Sequence, residues 1–506
     1  MIRTLLVAAR DRNRLGEIAQ VASRFGLGIV LARLGIAEAG AGEGGDGDPQ
    51  SLPRRTRLAL EALGPTFVKL GQILATRGDL LPPEWIAELE QLHSQAPTLA
   101  FEDLRPAVEA ALGEPPETAF ASFDPAPLAA ASMAQVHRAT LADGRAVVLK
   151  IRRPGIRPRM EADLRLIAQL AAVAESTSAE ARRFAPAAMM RQLTEAVLEE
   201  LDFTGEGRNA DRLRADFAGE PRVVIPAIHW AWTSETLLVM DYVEGVPPRD
   251  GDTLRAAGID PAAIAALGAD VVLDMVLVNG RFHGDPHPGN LLCLPGDRIA
   301  LLDLGMIGHV SPRRREEFID FVQSLNTGDP ARLADILAVW SAGSAPRDRI
   351  RSAAERLVAR HGSGPLVLSA LVGDFLPMMR DEGLTLPPDL LLIFKALVTI
   401  DGVLLAIEPD FDLSGAMRRS SLRIARARLS PEHWAPTVQA LAWELGKLGD
   451  GAPRLVRAAV RRLEADPADA AAPHAALSAA LATAGRWIAA AILTGAALIA
   501  GALLLR

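Results

Sequence analysis

Apolar residues recur at helical spacing through most of this chain and alternate at strand spacing in only a few short runs. The first 35 residues read as amphipathic helix, and Ala37–Asp48, rich in glycine, alanine and acidic residues, reads as a linker. Pro53 to about Ala111 is helical in pattern, with breaks at Gly64-Pro65 and Pro82-Pro83. The character then changes. Val136–Leu141 and Arg145–Arg152 are β-prone runs flanking Ala142-Asp143-Gly144, a hairpin signal. One long helix is expected over Arg159–Glu200, followed by two strands, His229–Thr233 and Thr236–Tyr242. From Pro261 the pattern is helical again, interrupted by Leu291–Leu294 and Arg298–Asp303 on either side of Pro295-Gly296-Asp297. Ser311-Pro312 supplies an N-cap and a first-turn proline where helix resumes. The order predicts an α+β protein: a mostly β lobe with one long helix, then a mostly α lobe holding a small hairpin.

Apolar character is densest at the C-terminus. Trp487–Leu505 is 19 residues without a charge, bracketed by Arg486 and Arg506. As a helix it would be ~28 Å long, near the ~30 Å hydrocarbon thickness of a bilayer. Upstream, Arg454, Arg457, Arg461 and Arg462 interleave with Leu455, Val456, Val460 and Leu463, an amphipathic basic helix suited to an anionic lipid surface. These features predict a single C-terminal transmembrane helix with the body of the chain in the cytoplasm. The span explains part of the positive mean hydropathy of +0.17. A formal net charge of −8 and one tyrosine in 506 residues argue against a nucleic-acid partner. The single cysteine, Cys293, excludes an intrachain disulfide and a cysteine-based zinc site.

The strongest chemical signal is His283-Gly284-Asp285-Pro286-His287-Pro288-Gly289-Asn290, followed after the hairpin by Asp303-Leu304-Gly305. Phosphoryl transfer needs an aspartate beside the attacking hydroxyl or water and oxygen ligands for Mg²⁺. Asp285 fits the first role; Asn290 and Asp303 fit the second. The spacing is the H-x-D-x-x-x-x-N plus D-x-G layout of kinases. The matching lysine is Lys150, in Val147-Val148-Leu149-Lys150 on the second arm of the Asp143-Gly144 hairpin. It would hold the phosphates of ATP and pair with a carboxylate, for which Glu199, Glu200 and Glu206 all qualify, with Asp202 close by. Where a kinase has a glycine-rich phosphate loop, this chain has Ala129–His137, making Ala130, Ala131, Ser132, Met133, Ala134 and Gln135 candidate nucleotide contacts. The hinge near Glu244-Gly245 would take adenine. In Pro65–Gln72 proline opens a helix, Lys69 and Gln72 share a polar face, and Gly71 suggests a close approach.

With these segments in one chain, the sequence resembles the UbiB/AarF family of atypical protein-kinase-like ATPases, bacterial relatives of the eukaryotic ADCK proteins. The likeness runs from about Arg12 to Asp412. It rests on the K-x-G-Q motif Lys69-Leu70-Gly71-Gln72, the Ala-rich loop, the E-x-D motif Glu200-Leu201-Asp202, and the loops at His283–Asn290 and Asp303–Gly305. It implies a bilobal protein-kinase-like fold with an N-terminal helical extension laid over the active site and a C-terminal transmembrane helix. The expected segments are amphipathic helices (1–36), a linker (37–52), the K-x-G-Q extension (53–117), an N-lobe (118–245), a C-lobe (246–430), a basic amphipathic tail (431–484) and the anchor (485–506). The resemblance makes Lys69 and Gln72 groups lining the active site, with Glu200 and Asp202 as neighbours, and makes ATP and Mg²⁺ the cofactors. It implies ATP hydrolysis linked to ubiquinone biosynthesis at the bacterial inner membrane. The implied partners are membrane lipids, polyprenyl quinone precursors, other quinone-biosynthesis enzymes and a second copy of the chain. Helix resumes soon after Gly305 and no Ala-Pro-Glu follows, so a long activation segment for docking a protein substrate is not expected. Two other readings stand beside this one. A small-molecule phosphotransferase is the first, because antibiotic and choline kinases share an H-G-D-x-x-x-x-N loop. The second is a non-enzymatic, nucleotide-gated lipid-binding scaffold.

Overall fold

The computed structural model describes residues 11–26 and, short internal segments aside, 51–411, together with Ala416, Gln439 and Trp443. The linker around Ala37–Asp48, the basic tail and the expected anchor at 485–506 lie outside the described residues. The described residues through Ala416 belong to one compact unit.

The N-terminal extension is helical: α1 (Arg12–Arg24), α2 (Ser51–Leu63), α3 (Pro65–Ala75), α4 (Pro83–Leu89), α5 (Phe101–Leu112) and the single turn α6 (Pro116–Ala119). Helix boundaries fall where the prolines predict, because Pro65 and Pro83 each open a helix. Strands β1 (Ser122–Ala130), β2 (Ala134–Thr140), β3 (Ala146–Arg152) and, later in the chain, β5 (Leu237–Asp241) form an antiparallel sheet in the order β1-β2-β3-β5. β1 was not legible as a strand. It is a largely exposed edge containing Pro125 and Pro127, with register shifts around Pro127, where an edge tolerates missing donors.

Between β3 and β5 the expected single helix is two, α7 (Ile156–Thr177) and α8 (Pro186–Glu200). The first-turn proline of α8 marks the second start. Helix α9 (Phe203–Asp216) follows at once, because the Asp202 carboxylate accepts the Thr204 N–H at 2.9 Å and caps it. A two-residue strand, β4 (Val223–Val224), comes next. The expected strand His229–Thr233 is instead a 3₁₀ turn, Trp230–Trp232. There His229 bonds back to Asp241 and the Trp230 indole donates to Asp211, and these side-chain bonds displace a ladder.

The C-lobe comprises α10 (Gly251–Ala256), α11 (Pro261–Leu273) with a π-helical turn through Asn279, β6 (Arg281–His283), β7 (Leu291–Leu294), β8 (Arg298–Leu301) and β9 (Ile307–His309). Helices α12 (Pro312–Thr327), α13 (Pro330–Trp340), α14 (Arg347–His361), α15 (Leu368–Asp381) and α16 (Pro388–Ile407) complete it. Ser311 caps α12 as its sequence suggests. β7 and β8 form the expected hairpin, extended by β4 alongside β8.

Three apolar clusters follow from this order. One joins the extension to α7 and α8, one covers the outer face of the sheet with α5, and the largest fills the C-lobe. The scarce aromatics concentrate in the last, where Phe318, Phe321, Trp340, Phe375 and Phe394 pack in tilted and edge-on pairs at centroid distances of 4.9–6.4 Å. Pro261–Asn279 and Asp389–Ile407 are long and apolar enough to cross a membrane. Here they are mostly buried as central helices of the C-lobe, which accounts for their composition.

Candidate active site

The loop after β6 is built from its histidine upward. β6 pairs with β9 through His283 and Ile307, and the Gly284 N–H donates to the Met306 carbonyl. His283 is buried beneath the loop. Its Nδ1 accepts the Asp285 N–H at 3.1 Å while Nε2 donates to the Leu302 carbonyl at 3.2 Å. Burial lowers its pKa, so a neutral ring serves both bonds. The Asn290 amide donates to the Asp285 carbonyl at 3.1 Å, which turns its amide oxygen away from the loop backbone. The Leu302 N–H donates to the Asn290 carbonyl, locking loop to hairpin. Asp303 then takes a left-handed conformation, φ 40°, with its carboxylate 52% exposed in the cleft.

Lys150 reaches this carboxylate from above. It pairs in register with Val136 on β2 and Leu238 on β5, so Val136, Lys150 and Leu238 share the face of the sheet turned to the cleft. Of the three glutamates left open by the sequence, the structure selects Glu206. Both its oxygens lie 2.9 Å from Lys150 Nζ, and Asp303 Oδ1 lies at 3.1 Å. Burial pushes the Glu206 carboxyl up to about 7 against the pull of Lys150. The Lys150 ammonium holds Asp303 well below the usual carboxylate range. Burial works against the Lys150 charge, but Asp303 and Glu206 outweigh it and raise its pKa. α9 is tied to the same strand end, because the Asn209 amide donates to the Leu304 carbonyl.

The extension lies beside this cluster. Lys69 Nζ stands 2.6 Å from Glu200 Oε2, and the Gln72 amide donates to the Leu92 carbonyl. Glu200 is within electrostatic reach of Glu206, so the two lysine–glutamate pairs are neighbours. Gly71 has the expected close approach: a Cβ there would collide with methyls of Leu92 and Leu60. Asp202 does not join Lys69. It caps α9 through Thr204, with Arg208 at 3.9 Å.

The Ala-rich segment departs further from expectation. Ala130 ends β1, Ala134 opens β2, and Ala131-Ser132-Met133 form the turn, closed by Ala131 N–H to Ala134 C=O. Arg153 clamps it through the Ala131 carbonyl. Met133 is buried in the cluster shared with the extension. Gln135 is fully buried on the sheet face opposite Lys150, where it bonds both backbone groups of Leu99 and the His137 ring. It positions the extension, and its side chain is not turned to the cleft; alternation along β2 puts Val136 there instead. Glu244 is exposed at the hinge, and Val246 exchanges two backbone bonds with Cys293.

One charged group of the site was missed. Lys395 of α16 stands 3.0 Å from Asp285 Oδ1. Its signal was available, since it is the one cation of a largely apolar helix that otherwise carries only Asp389 and Asp401, and a charge set among apolar residues must find a partner.

Residues 91–337 match the sequence profile of the ABC1 atypical kinase-like domain, and residues 364–412 match that of the UbiB helical domain. A protein of Xanthomonas campestris pv. campestris (strain B100) named "Probable protein kinase UbiB" is 36% identical over 425 residues, covering 80% of this chain and 76% of the relative. The chain belongs to the UbiB/ABC1 family. A Xylella fastidiosa (strain M23) protein of the same name is 34% identical over 418 residues, 80% of this chain and 76% of that one. Among solved structures, Mycobacterium tuberculosis Rv3197, determined with erythromycin, is similar in fold. Its TM-score is 0.51 at 21% identity, covering 68% of this chain and 89% of that one.

The geometry suits the nucleotide and metal that such a kinase-like domain has the capacity to bind. Asp303 and Asn290 offer hard oxygen donors, one carboxylate exposed in the cleft and one amide oriented by its own N–H bond. These two residues would hold Mg²⁺ through one carboxylate and one amide oxygen, with phosphate and water as further ligands, and the ion would supply charge neutralisation for the phosphates.

Proposed function

We propose that this UbiB/ABC1 chain is a Mg²⁺-dependent ATPase at the cytoplasmic face of the bacterial inner membrane, held there by its C-terminal apolar segment. ATP turnover draws polyprenyl quinone precursors from the bilayer and presents them to other enzymes of ubiquinone biosynthesis. The observation that carries this reading is the Lys150–Glu206–Asp303 cluster, with the Lys69–Glu200 pair of the extension at its side. A kinase centre flanked by its own chain suits water or a small lipid headgroup better than a docked protein. Glu206 holds Lys150 in place to receive the phosphates, and His283 fixes the backbone that carries Asp285. Asp285 orients the attacking water or hydroxyl. Bound at Asn290 and Asp303, Mg²⁺ supplies charge neutralisation for the phosphates.

The test is ATP hydrolysis with anionic liposomes and a prenylated phenol. Stimulation is expected, and unchanged hydrolysis would remove the lipid coupling. In a deletion strain, quinone profiles should be restored by wild type and not by Asp303→Asn. Rescue by Asp285→Asn would favour a non-enzymatic scaffold instead.

A further inference from the structure

Asp285 and the γ-phosphate it must face are both anionic, so a site of this kind needs positive charge next to the aspartate. Lys150 pairs with Glu206 and Asp303 and is not in contact with Asp285. His287 stands 4.0 Å from Asp285 Oδ2 and is charged only when protonated. Lys395 is different. Its ammonium stands 3.0 Å from Oδ1, close enough for a direct ion pair.

Its position is set by the C-lobe core. Its chain neighbours Phe394 and Ala396 are 1% and 0% exposed, so α16 cannot shift or rotate without unpacking that core. Between these two buried neighbours the lysine is partly exposed, and its ammonium lies at the catalytic loop. The ammonium also faces the extension, because Glu90 beyond α4 lies within its electrostatic reach.

We propose that Lys395, delivered by the segment that matches the UbiB helical domain, is the positioning cation of the site: it neutralises and orients Asp285 and lets the γ-phosphate approach it. The proposal rests on Asp285 facing the γ-phosphate, as in the function above. It gives the helical domain a direct part in the chemistry. Without Lys395 the Asp285 charge would repel the γ-phosphate but leave a diphosphate, which ends further away, much less affected.

The experiment measures Mg·ATP and Mg·ADP affinity by calorimetry, and ATP turnover, for full-length wild type, Lys395→Met, Lys395→Arg, Asp285→Asn and the Lys395→Met/Asp285→Asn double variant. Lys395→Met should weaken ATP about tenfold relative to ADP, the effect of one uncompensated charge at a partly exposed site. It should lower kcat by about ten- to a hundredfold. Lys395→Arg should recover most of both. The double variant, lacking both charges, should regain wild-type ATP affinity while remaining inactive. A Lys395→Met protein with the wild-type ATP-to-ADP ratio, or a double variant no better than Lys395→Met in ATP affinity, overturns the proposal. If wild type binds ATP without hydrolysing it, the ATPase reading fails while the affinity arm still decides the role of Lys395.

Discussion

Glu206→Gln keeps the shape of the side chain beneath Lys150 and removes its charge. In the wild type one ammonium is shared between Glu206, 2.9 Å from both oxygens, and Asp303 at 3.1 Å. At an effective dielectric of 20, such distances correspond to about 5–6 kcal/mol of direct attraction for Glu206, and less for Asp303, whose exposed carboxylate is screened by water. Lys150 is therefore held chiefly by Glu206, and its contact with Asp303 is the weaker of the two. In the variant it leans on Asp303, the carboxylate proposed to hold Mg²⁺. Half-saturating Mg²⁺ should rise about tenfold, and kcat/KM for ATP should fall by about 10²–10³. Glutamine sheds the penalty of a buried carboxylate and can keep one hydrogen bond, so urea denaturation at pH 7 should show a loss of no more than about 1 kcal/mol. The pH dependence separates this account from a general loss of shape. With Glu206 raised to about 7, its pairing with Lys150 weakens as pH falls through 7, giving wild-type kcat/KM an acid limb that the variant lacks. Stability runs the other way. Unfolded glutamate titrates near 4.5, so between 4.5 and about 7 the folded chain binds more protons. The Glu206 contribution is whole below pH 4.5 and is lost as pH rises through 7, a loss absent from the variant. A Glu206→Gln protein with wild-type Mg²⁺ dependence and an unchanged acid limb would refute the reasoning.

Asp163, 1% exposed, accepts Arg14 and Thr66 and so ties α1 and the start of the K-x-G-Q helix to α7. Asp163→Ala should cost about 1–3 kcal/mol in chemical denaturation, because the largely buried Arg14 guanidinium loses its buried partner and keeps only Glu17 and the Leu63 carbonyl. Hydrogen exchange should quicken across 65–75. Gly245→Ala places a methyl against the Cys293 carbonyl and the Leu294 side chain. It should destabilise by about 1–3 kcal/mol and raise the KM for ATP by displacing the hinge. The Cys293 thiol, buried and pushed up to about 12, should resist thiol-specific reagents in the native state, with modification tracking urea unfolding.

The family resemblance was legible because phosphoryl transfer constrains residue type at short spacing. His283, Asp285 and Asn290 share one loop, and Asp303 follows one hairpin later, so turn chemistry and strand alternation were enough to bring them together. The Asp143-Gly144 hairpin signal between β-prone runs likewise placed Lys150 on a strand, and prolines at 65, 83, 261 and 312 marked helix starts. The errors share a cause. β1 is an exposed proline-bearing edge without an apolar stripe, and Trp230–Trp232 follows side-chain hydrogen bonds that no periodicity encodes. Gln135 and Met133 lie within the expected phosphate loop, yet strand alternation and turn geometry send them into two different cores.

Local chemistry was thus written in the chain: which residues can hold a phosphate, cap a helix or turn a strand. Pairing across the fold was not. Glu199, Glu200 and Glu206 are equivalent as sequence, and the short step from α8 to α9, capped by Asp202, gives Glu206 to Lys150 and Glu200 to Lys69. Lys395 reaches Asp285 only because the C-lobe core packs α16 beneath the catalytic loop. Charges this far apart in the chain meet through packing, and packing is a property of all the elements together, which no local pattern records.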